Sequence, residues 1–292
     1  MTILFGVIAA MVSMAAPLML AALGEVVSER AGVINVGLEG LMLSGAFAAA
    51  IAARASHSAW TGVFVGAVTG ILVAAFTAIF VIWLSADQVV VGVVVNLLAL
   101  GVTGVVYRSM FGATGTFLQT AQLRVVLFGQ DALVLFAFAL TPVIAWFLFR
   151  TRTGLLLRAC GESAFAAAAA GVPVQRIRVG ALLFCGAMAS LGGAYLAVGE
   201  NNTFVENMTA GRGFIVLAVV TSGAWNPWGC MVAALVFGAA NALQFQFQAF
   251  NAHLPYDLFL ALPYAATLIA LAAGGLWSRS PADLGRPFRR LA

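Results

Sequence analysis

The sequence predicts an all-α polytopic membrane protein, with about eight transmembrane helices packed in one bundle. Hydrophobic residues make up 63% of the 292 residues and charged residues only 8%, whereas about a quarter of a soluble domain is charged. Uncharged runs of roughly 20 residues, the length that crosses the hydrocarbon core as a helix, recur along the chain. The runs are continuous and lack the polar and apolar alternation of barrel strands, so helices are predicted.

The predicted membrane segments follow one another evenly, which indicates a single domain over residues 1–292. The segment from Val33 to Ala53 contains one charge, Glu39, and the run Gly213–Tyr256 is long enough for two passes. Each of the other runs predicts one pass. These runs are Ile3–Gly24, Ala55–Ala86, Gln88–Tyr107, Ala132–Phe149, Val179–Gly199 and Leu258–Ser278.

The arginines predict how the protein is oriented in the membrane. The chain has no Lys, so its net charge of +4 comes from Arg. The arginines crowd one loop and the carboxyl-terminal tail, and the positive-inside rule places both in the cytoplasm. Counted run by run, the segments named above make nine passes, an odd number, so the amino terminus is predicted to lie outside. The charge is explained by topology and does not imply nucleic-acid binding. The two clusters are Arg150, Arg152, Arg158, Arg176 and Arg178, and Arg279, Arg286, Arg289 and Arg290.

The longest inner loop covers residues 151–177. Its stretch Glu162–Ala170 is rich in Ala, a strong helix former, and is followed by Gly171 and Pro173, which end helices. The loop is therefore predicted to hold a short surface helix between two membrane segments.

The sequence shows no motif typical of an enzyme active site or a metal site. It has no HExxH, GxSxG or Walker-type glycine loop, and it contains only 2 histidines. Cys160, Cys185 and Cys230 are scattered and odd in number, which favours small buried thiols over a disulfide framework or a metal site. The sequence predicts no catalytic residue, no metal ligand and no cofactor bound by this chain.

Candidate pathway residues lie near the start of the second predicted segment. Asn35 and Glu39 are four residues apart and share a helical face at or just inside the membrane. A carboxylate there is costly and usually faces a protein interior or an aqueous cavity. The alternative is that Glu39 caps a neighbouring helix or pairs with Arg30. Asn96, inside the fourth segment, either binds a neutral solute or bonds across helices.

Small and helix-breaking residues mark two further features. Gly66 and Gly70 form a GxxxG pattern, and Gly186, Gly192 and Gly193 crowd another segment, which permits tight helix packing. Pro227 ends one helix and begins the next in a structural turn, and Trp225 and Trp228 suit the membrane interface.

Three segments together resemble the permease subunits of bacterial ABC importers for nucleosides, simple sugars and branched-chain amino acids, over nearly the whole chain. The first is Glu29–Gly40, with the sequence ERAGVINVGLEG, and the second is Gly154–Gly171. The third joins Gly213-Phe214-Ile215 with Trp225–Gly229, whose sequence is WNPWG. Two departures are Ser163, where relatives often carry Asn, and the lack of the extra amino-terminal helix of ribose-type members.

The resemblance implies a coupling segment that docks on the ATP-hydrolysing subunit. It comprises Gly154, Arg158, Ala159, Gly161, Glu162 and Gly171. The resemblance further implies a multi-pass permease half in the bacterial inner membrane, surrounded by lipid, with a second homologous permease chain as its partner. Two ATP-binding cassette subunits would hydrolyse the ATP, and an extracytoplasmic binding protein would deliver the substrate.

Nucleosides, purine nucleosides first, are the substrates that the resemblance implies, with simple sugars and branched-chain amino acids as alternatives. A secondary transporter would instead predict inverted repeats and buried ion-coordinating charges. A polytopic enzyme would predict clustered His or acidic groups at one face. Neither pattern is seen in the sequence.

Overall fold

The computed structural model describes residues 2–112, 119–127, 129–249 and 280–288. These residues form a helical bundle, and seven of the helices are long and apolar enough to cross a membrane. The all-α membrane fold is therefore confirmed. The helices are α1 Thr2–Arg30, α2 Leu38–Ser56, α3 Ala59–Ala78, α4 Gln88–Phe111, α5 Ala132–Arg150, α6 Arg152–Glu162, α7 Ala164–Ala169, α8 Val174–Tyr195, α9 Arg212–Ser222 and α10 Pro227–Ala249.

Two membrane helices end in π-helical turns, and one loop carries a small hairpin. Helix α3 continues through Ile79–Trp83, and α8 continues through Leu196–Glu200. The strands β1, Val125–Leu127, and β2, Gln130–Asp131, pair antiparallel before α5. Asp131 then begins α5, because its carboxylate accepts bonds from the N–H groups of Leu133 and Val134 at 3.1 and 3.2 Å.

The run Gly213–Tyr256, predicted to hold two passes, divides into a short helix and a long one. Helix α9 has 11 residues, about 16 Å at 1.5 Å per residue, which is half the thickness of the hydrocarbon core. The turn between α9 and α10 falls at Pro227, as predicted. The predicted pass Leu258–Ser278 lies outside the described residues.

The predicted surface helix is really two helices. Ser163 is extended and accepts a bond from the N–H of Ala166 at 3.3 Å, so it caps α7 and separates it from α6. The prediction of one helix over Glu162–Ala170 was wrong at its start, because a capping Ser interrupts the helical composition.

Helix α8 is the centre of the bundle and packs against α1, α2 and α3. Small residues permit this packing, as predicted. A Cβ added at Gly186 would overlap the carbonyl oxygen of Gly70 on α3, and one added at Gly193 would overlap the carbonyl oxygen of Met42 on α2. The backbones therefore approach more closely than any larger residue allows.

Replacing Gly193 by Ala should destabilise the protein by about 1–3 kcal/mol, because the added methyl must push α8 away from the backbone of α2. Thermal unfolding of the detergent-solubilised protein measures the effect. Gly180→Ala is the matched control on the same helix, since a Cβ there meets no atom within 4 Å. Equal unfolding temperatures for Gly193→Ala and the wild type would contradict the close packing.

Candidate functional site

A break between α1 and α2 places non-helical backbone inside the bundle. Residues 31–37, here called the linker, leave the helix after Arg30, and the chain becomes helical again at Leu38. Helix α4 satisfies part of this backbone. Gln88 Oε1 accepts from the N–H of Ile34 at 2.8 Å, and the Asn96 amide donates to Val36 O at 3.0 Å. Irregular backbone is tolerated at membrane depth when protein groups bond it in this way.

Asn96 also fixes the depth of the first turn of α2. Its Oδ1 accepts from the N–H of Gly40 at 2.7 Å. Asn96 lies about 12 Å from the start of α4 at 1.5 Å per residue. The first turn of α2 therefore lies well inside a hydrocarbon core that is about 30 Å thick.

Glu39, in that first turn, caps the buried amino terminus of α9. Its carboxylate accepts from Thr209 Oγ1 at 2.5 Å and from the N–H groups of Gly211 and Gly213 at 2.8 and 2.7 Å. The positive end of a helix dipole favours a carboxylate at this position. Glu39 thus caps a neighbouring helix, and its partner is α9 and not Arg30. Its role as a pathway residue stays a prediction.

Helix α9 therefore runs from the middle of the bundle to one surface. At its far end the guanidinium of Arg30 donates from Nε to Trp225 O at 2.9 Å. The indole N–H of Trp225 donates to the carboxylate of Glu29. Residues 201–211 before α9 form bends and turns, and Phe204 and Thr209 in this stretch are fully buried.

Asn35 lies on the other side of the linker, among buried polar groups of α1 and α8. Its backbone N–H donates to Glu25 Oε1 at 2.8 Å, and its amide donates to Cys185 Sγ at 3.5 Å. Cys185 donates to Glu25 Oε2 at 3.0 Å. Asn35, Glu39 and Asn96 therefore all bond neighbouring chain segments.

The sequence analysis did not identify two buried carboxylates at the end of α1. Glu25 is 0% and Glu29 2% exposed, one helical turn apart. They join α1 to α8 through Cys185 and to the turn after α9 through Trp225. Their i, i+4 spacing next to an uncharged run was the signal available in the sequence. All three cysteines are free and buried, which confirms the prediction of buried thiols.

One end of the bundle carries α6, α7 and residues 280–288 and is here called the arginine-rich end. The predicted coupling segment lies at this end. Gly154 lies against Phe147 O and Gly161 against Arg30 O, each too close for a Cβ. The guanidinium carbon of Arg158 lies 5.2 Å from the centre of the Phe149 ring. Ala159 is half-buried and Glu162 is exposed. Gly171, with φ of 84°, follows α7 where the chain turns.

Helices α6 and α7 divide into an inward and an outward face. Cys160, Ala164 and Ala167 are buried against Val174 and Phe288. Burial raises the pKa of the Cys160 thiol, so this cysteine stays protonated at neutral pH. Leu155 and Phe165 are 59% and 56% exposed. The outward face therefore presents apolar side chains and the Glu162 carboxylate, the mixture that a docking partner would bury.

Arg178 connects four parts of the arginine-rich end. This buried side chain at the start of α8 donates to Ala31 O in the linker at 3.1 Å, to Cys160 O in α6 at 3.4 Å and to Arg286 O in the tail at 2.9 Å. The tail is bonded to the same region, because Asp283 accepts from the N–H of Ala164 at 2.8 Å. Arg178 thus connects α6 and the tail directly to the linker.

The opposite end of the bundle carries a cleft between α4 and the stretch before α9, here called the polar cleft after the ion pair in its lining, which also includes Leu100 and Val105. Its volume is about 360 Å³, and its lining includes Gly101, Gly104, Arg108, Glu206 and Asn207. Arg108 pairs with Glu206 at 2.7 Å. The hydrogen bond from Arg108 lowers the pKa of the Glu206 carboxyl, so the pair stays charged at neutral pH.

Comparison with known proteins adds the following findings. The sequence model of a family described as branched-chain amino acid transport system / permease component matches residues 7–271. A putative glucose ABC transporter permease of Haloferax volcanii is 36% identical over 84% of this chain and 79% of its own length. The nucleoside ABC transporter permease of Lactococcus lactis subsp. cremoris is 32% identical over 91% of each chain. The guanosine ABC transporter permease of Bacillus subtilis is 34% identical over 88% of each. No solved structure matches.

Proposed function

The chain belongs to the family of branched-chain amino acid transport system permease components, and we propose that it forms half of the translocation pathway of an ATP-driven importer for nucleosides, purine nucleosides first. It is a multi-pass transport subunit of the ABC permease class and not an enzyme. ABC-type partners follow from the family. In the proposal they are two ATP-binding cassette subunits, a second homologous permease chain and an extracytoplasmic binding protein. The chain itself binds no cofactor.

The substrate class is supported by two relatives that carry nucleoside or guanosine in their names, each similar over most of its length. Simple sugars are the second candidate, because the relative from Haloferax volcanii is named a glucose permease. The family description keeps branched-chain amino acids as a third. The three classes are distinguished by an uptake measurement.

The observation that carries the coupling mechanism is the contact of Gly161 with the carbonyl of Arg30. In the proposal the ATPase subunit binds the outward face of α6 and α7. It displaces this face when the two ATPase subunits close on ATP. Because Gly161 and Arg178 tie these helices to the linker, the movement reaches the break between α1 and α2. The turn after α9, which Arg30 bonds at Trp225 O, then moves with it.

The proposed orientation places the arginine-rich end and the carboxyl terminus in the cytoplasm of a bacterial cell, at its inner membrane. Positive charge in short loops favours that side. The binding protein then meets the opposite end, where the polar cleft at Arg108, Glu206 and Asn207 would form the mouth of the pathway. The predicted pathway residues Asn35, Glu39 and Asn96 would act beneath it by holding the interrupted helices.

Uptake by cells tests the proposal. Labelled guanosine, uridine, ribose, glucose and leucine are offered to cells with and without this chain, and to cells whose partner ATPase is inactive. We expect guanosine uptake to require both this chain and an active ATPase. ATP-dependent uptake of a sugar or leucine alone would keep the mechanism and change the substrate. ATP-independent uptake would identify a secondary transporter and overturn the proposal.

A further inference from the structure

An apolar groove lies between α5 and α8, next to α6 and away from the polar cleft. It has a volume of about 660 Å³, and α6 closes one of its ends. Its walls include Leu140, Trp146 and Phe147 from α5, and Gly180 and Phe184 from α8. Trp146 is 63% exposed. The groove is therefore open to the side of the bundle, where the membrane lies.

The polar groups of the groove are confined to the end that α6 closes. Thr153 of α6 and Arg176 of α8 line that end, whereas the other lining residues are apolar or Gly. Arg176 lies about 12 Å from Phe184 along α8. One leaflet of the hydrocarbon core is about 15 Å deep. The apolar part thus has the length of one leaflet, and the charge lies at its surface.

The arginine at this mouth, Arg176, and two arginines close to Thr153 in the sequence have no counterion among the described residues. Arg150, Arg152 and Arg176 are exposed, and none of them forms an ion pair within the part of the chain that the structure describes. No Asp or Glu in the described part of the chain lines the groove. A guanidinium binds a phosphate through two parallel hydrogen bonds. Basic pockets between membrane helices bind anionic lipid headgroups.

We propose that this groove binds an anionic phospholipid of the leaflet at the arginine-rich end. The phosphate lies at Arg176, with Arg150 and Arg152 beside it, and one acyl chain fills the groove between α5 and α8. The lipid then bridges α5, α6 and α8, and so supports the segment that α6 and α7 form. This inference requires only that the chain spans a membrane and is independent of the transported substrate.

Quenching of tryptophan fluorescence by brominated lipid tests the site, because Trp146 lies in the groove. The full chain is placed in phosphatidylcholine nanodiscs that contain a small fraction of either phosphatidylglycerol or phosphatidylcholine brominated on its acyl chains. The signal of Trp146 is the difference between the wild type and Trp146→Phe. We expect the brominated anionic lipid to quench Trp146 several-fold more than the neutral one.

Two variants locate the site. Arg176→Gln should weaken the preference for anionic lipid about fivefold, the effect of one arginine near an anionic headgroup. Gly180→Leu should remove the preference by filling the groove, since a Cβ at Gly180 meets no atom within 4 Å and the helix can accept it. Gly101→Leu adds the same side chain at an open position of α4 and should keep the preference.

Three results would overturn the proposal. Equal quenching by both lipids would mean ordinary contact with the surrounding bilayer. No quenching of Trp146 by either lipid would mean that protein, from this chain or a second copy, fills the groove. An unchanged preference in both Arg176→Gln and Gly180→Leu would place the anionic lipid elsewhere.

Discussion

Replacing Glu39 by Ala should abolish transport and strongly destabilise the protein. The carboxylate satisfies the N–H groups of Gly211 and Gly213 and the hydroxyl of Thr209 at membrane depth. No water is available there to replace it. Each buried donor left without a partner costs about 1–3 kcal/mol. The start of α9 would lose its anchor, and with it the link between α2 and the turn at Trp225.

A graded series separates the contributions of charge and hydrogen bonding. Glu39→Gln keeps one acceptor oxygen and should be intermediate. Thr209→Val removes one neutral donor and should cost about 1 kcal/mol. The readouts are thermal unfolding in detergent and uptake by cells at matched expression. For unfolding, Glu162→Ala is the matched control, since that carboxylate is exposed on α6. Wild-type unfolding and uptake in Glu39→Ala would contradict the role of the cap.

The membrane helices were predictable because each is encoded locally. A run of uncharged residues long enough to span the membrane specifies a helix whatever its neighbours are. The first residues of α4 and α5 are set by the capping side chains of Asp87 and Asp131. The contact glycines were also visible in the sequence, although not their partners. Gly193 meets the carbonyl of Met42, 151 positions away along the chain.

The polar interior was less predictable because its partners are remote in sequence. Glu39 and Gly213 are 174 positions apart, and Glu29 and Trp225 are 196 apart. No periodicity shows that a half-length helix begins at a buried carboxylate. The sequence therefore offered the helix cap only as one alternative for Glu39, and its partner α9 became visible in the packing. Arg178 was predicted as a topology signal, yet it is buried and bonds three carbonyl groups.

Adding a methyl group at Gly161 should uncouple ATP hydrolysis from transport. A Cβ there would overlap the carbonyl oxygen of Arg30, so Gly161→Ala must push α6 away from the end of α1. Misfitted methyl groups in packed regions cost about 1–3 kcal/mol. The outward face, with Leu155, Glu162 and Phe165, is left intact. We expect uptake to fall at least tenfold, which is about 1.4 kcal/mol, while the ATPase subunits remain bound.

The readouts that distinguish uncoupling from misfolding are co-purification of the ATPase subunits and the response of their activity to substrate. Uncoupling predicts normal co-purification and ATP hydrolysis that no longer responds to substrate, whereas misfolding predicts loss of both. Gly180→Ala, where the methyl meets no atom within 4 Å, is the control for adding a methyl group as such. If Gly161→Ala transports at the wild-type rate, the contact with Arg30 does not transmit the movement, and the bonds of Arg178 become the remaining link between α6 and the linker.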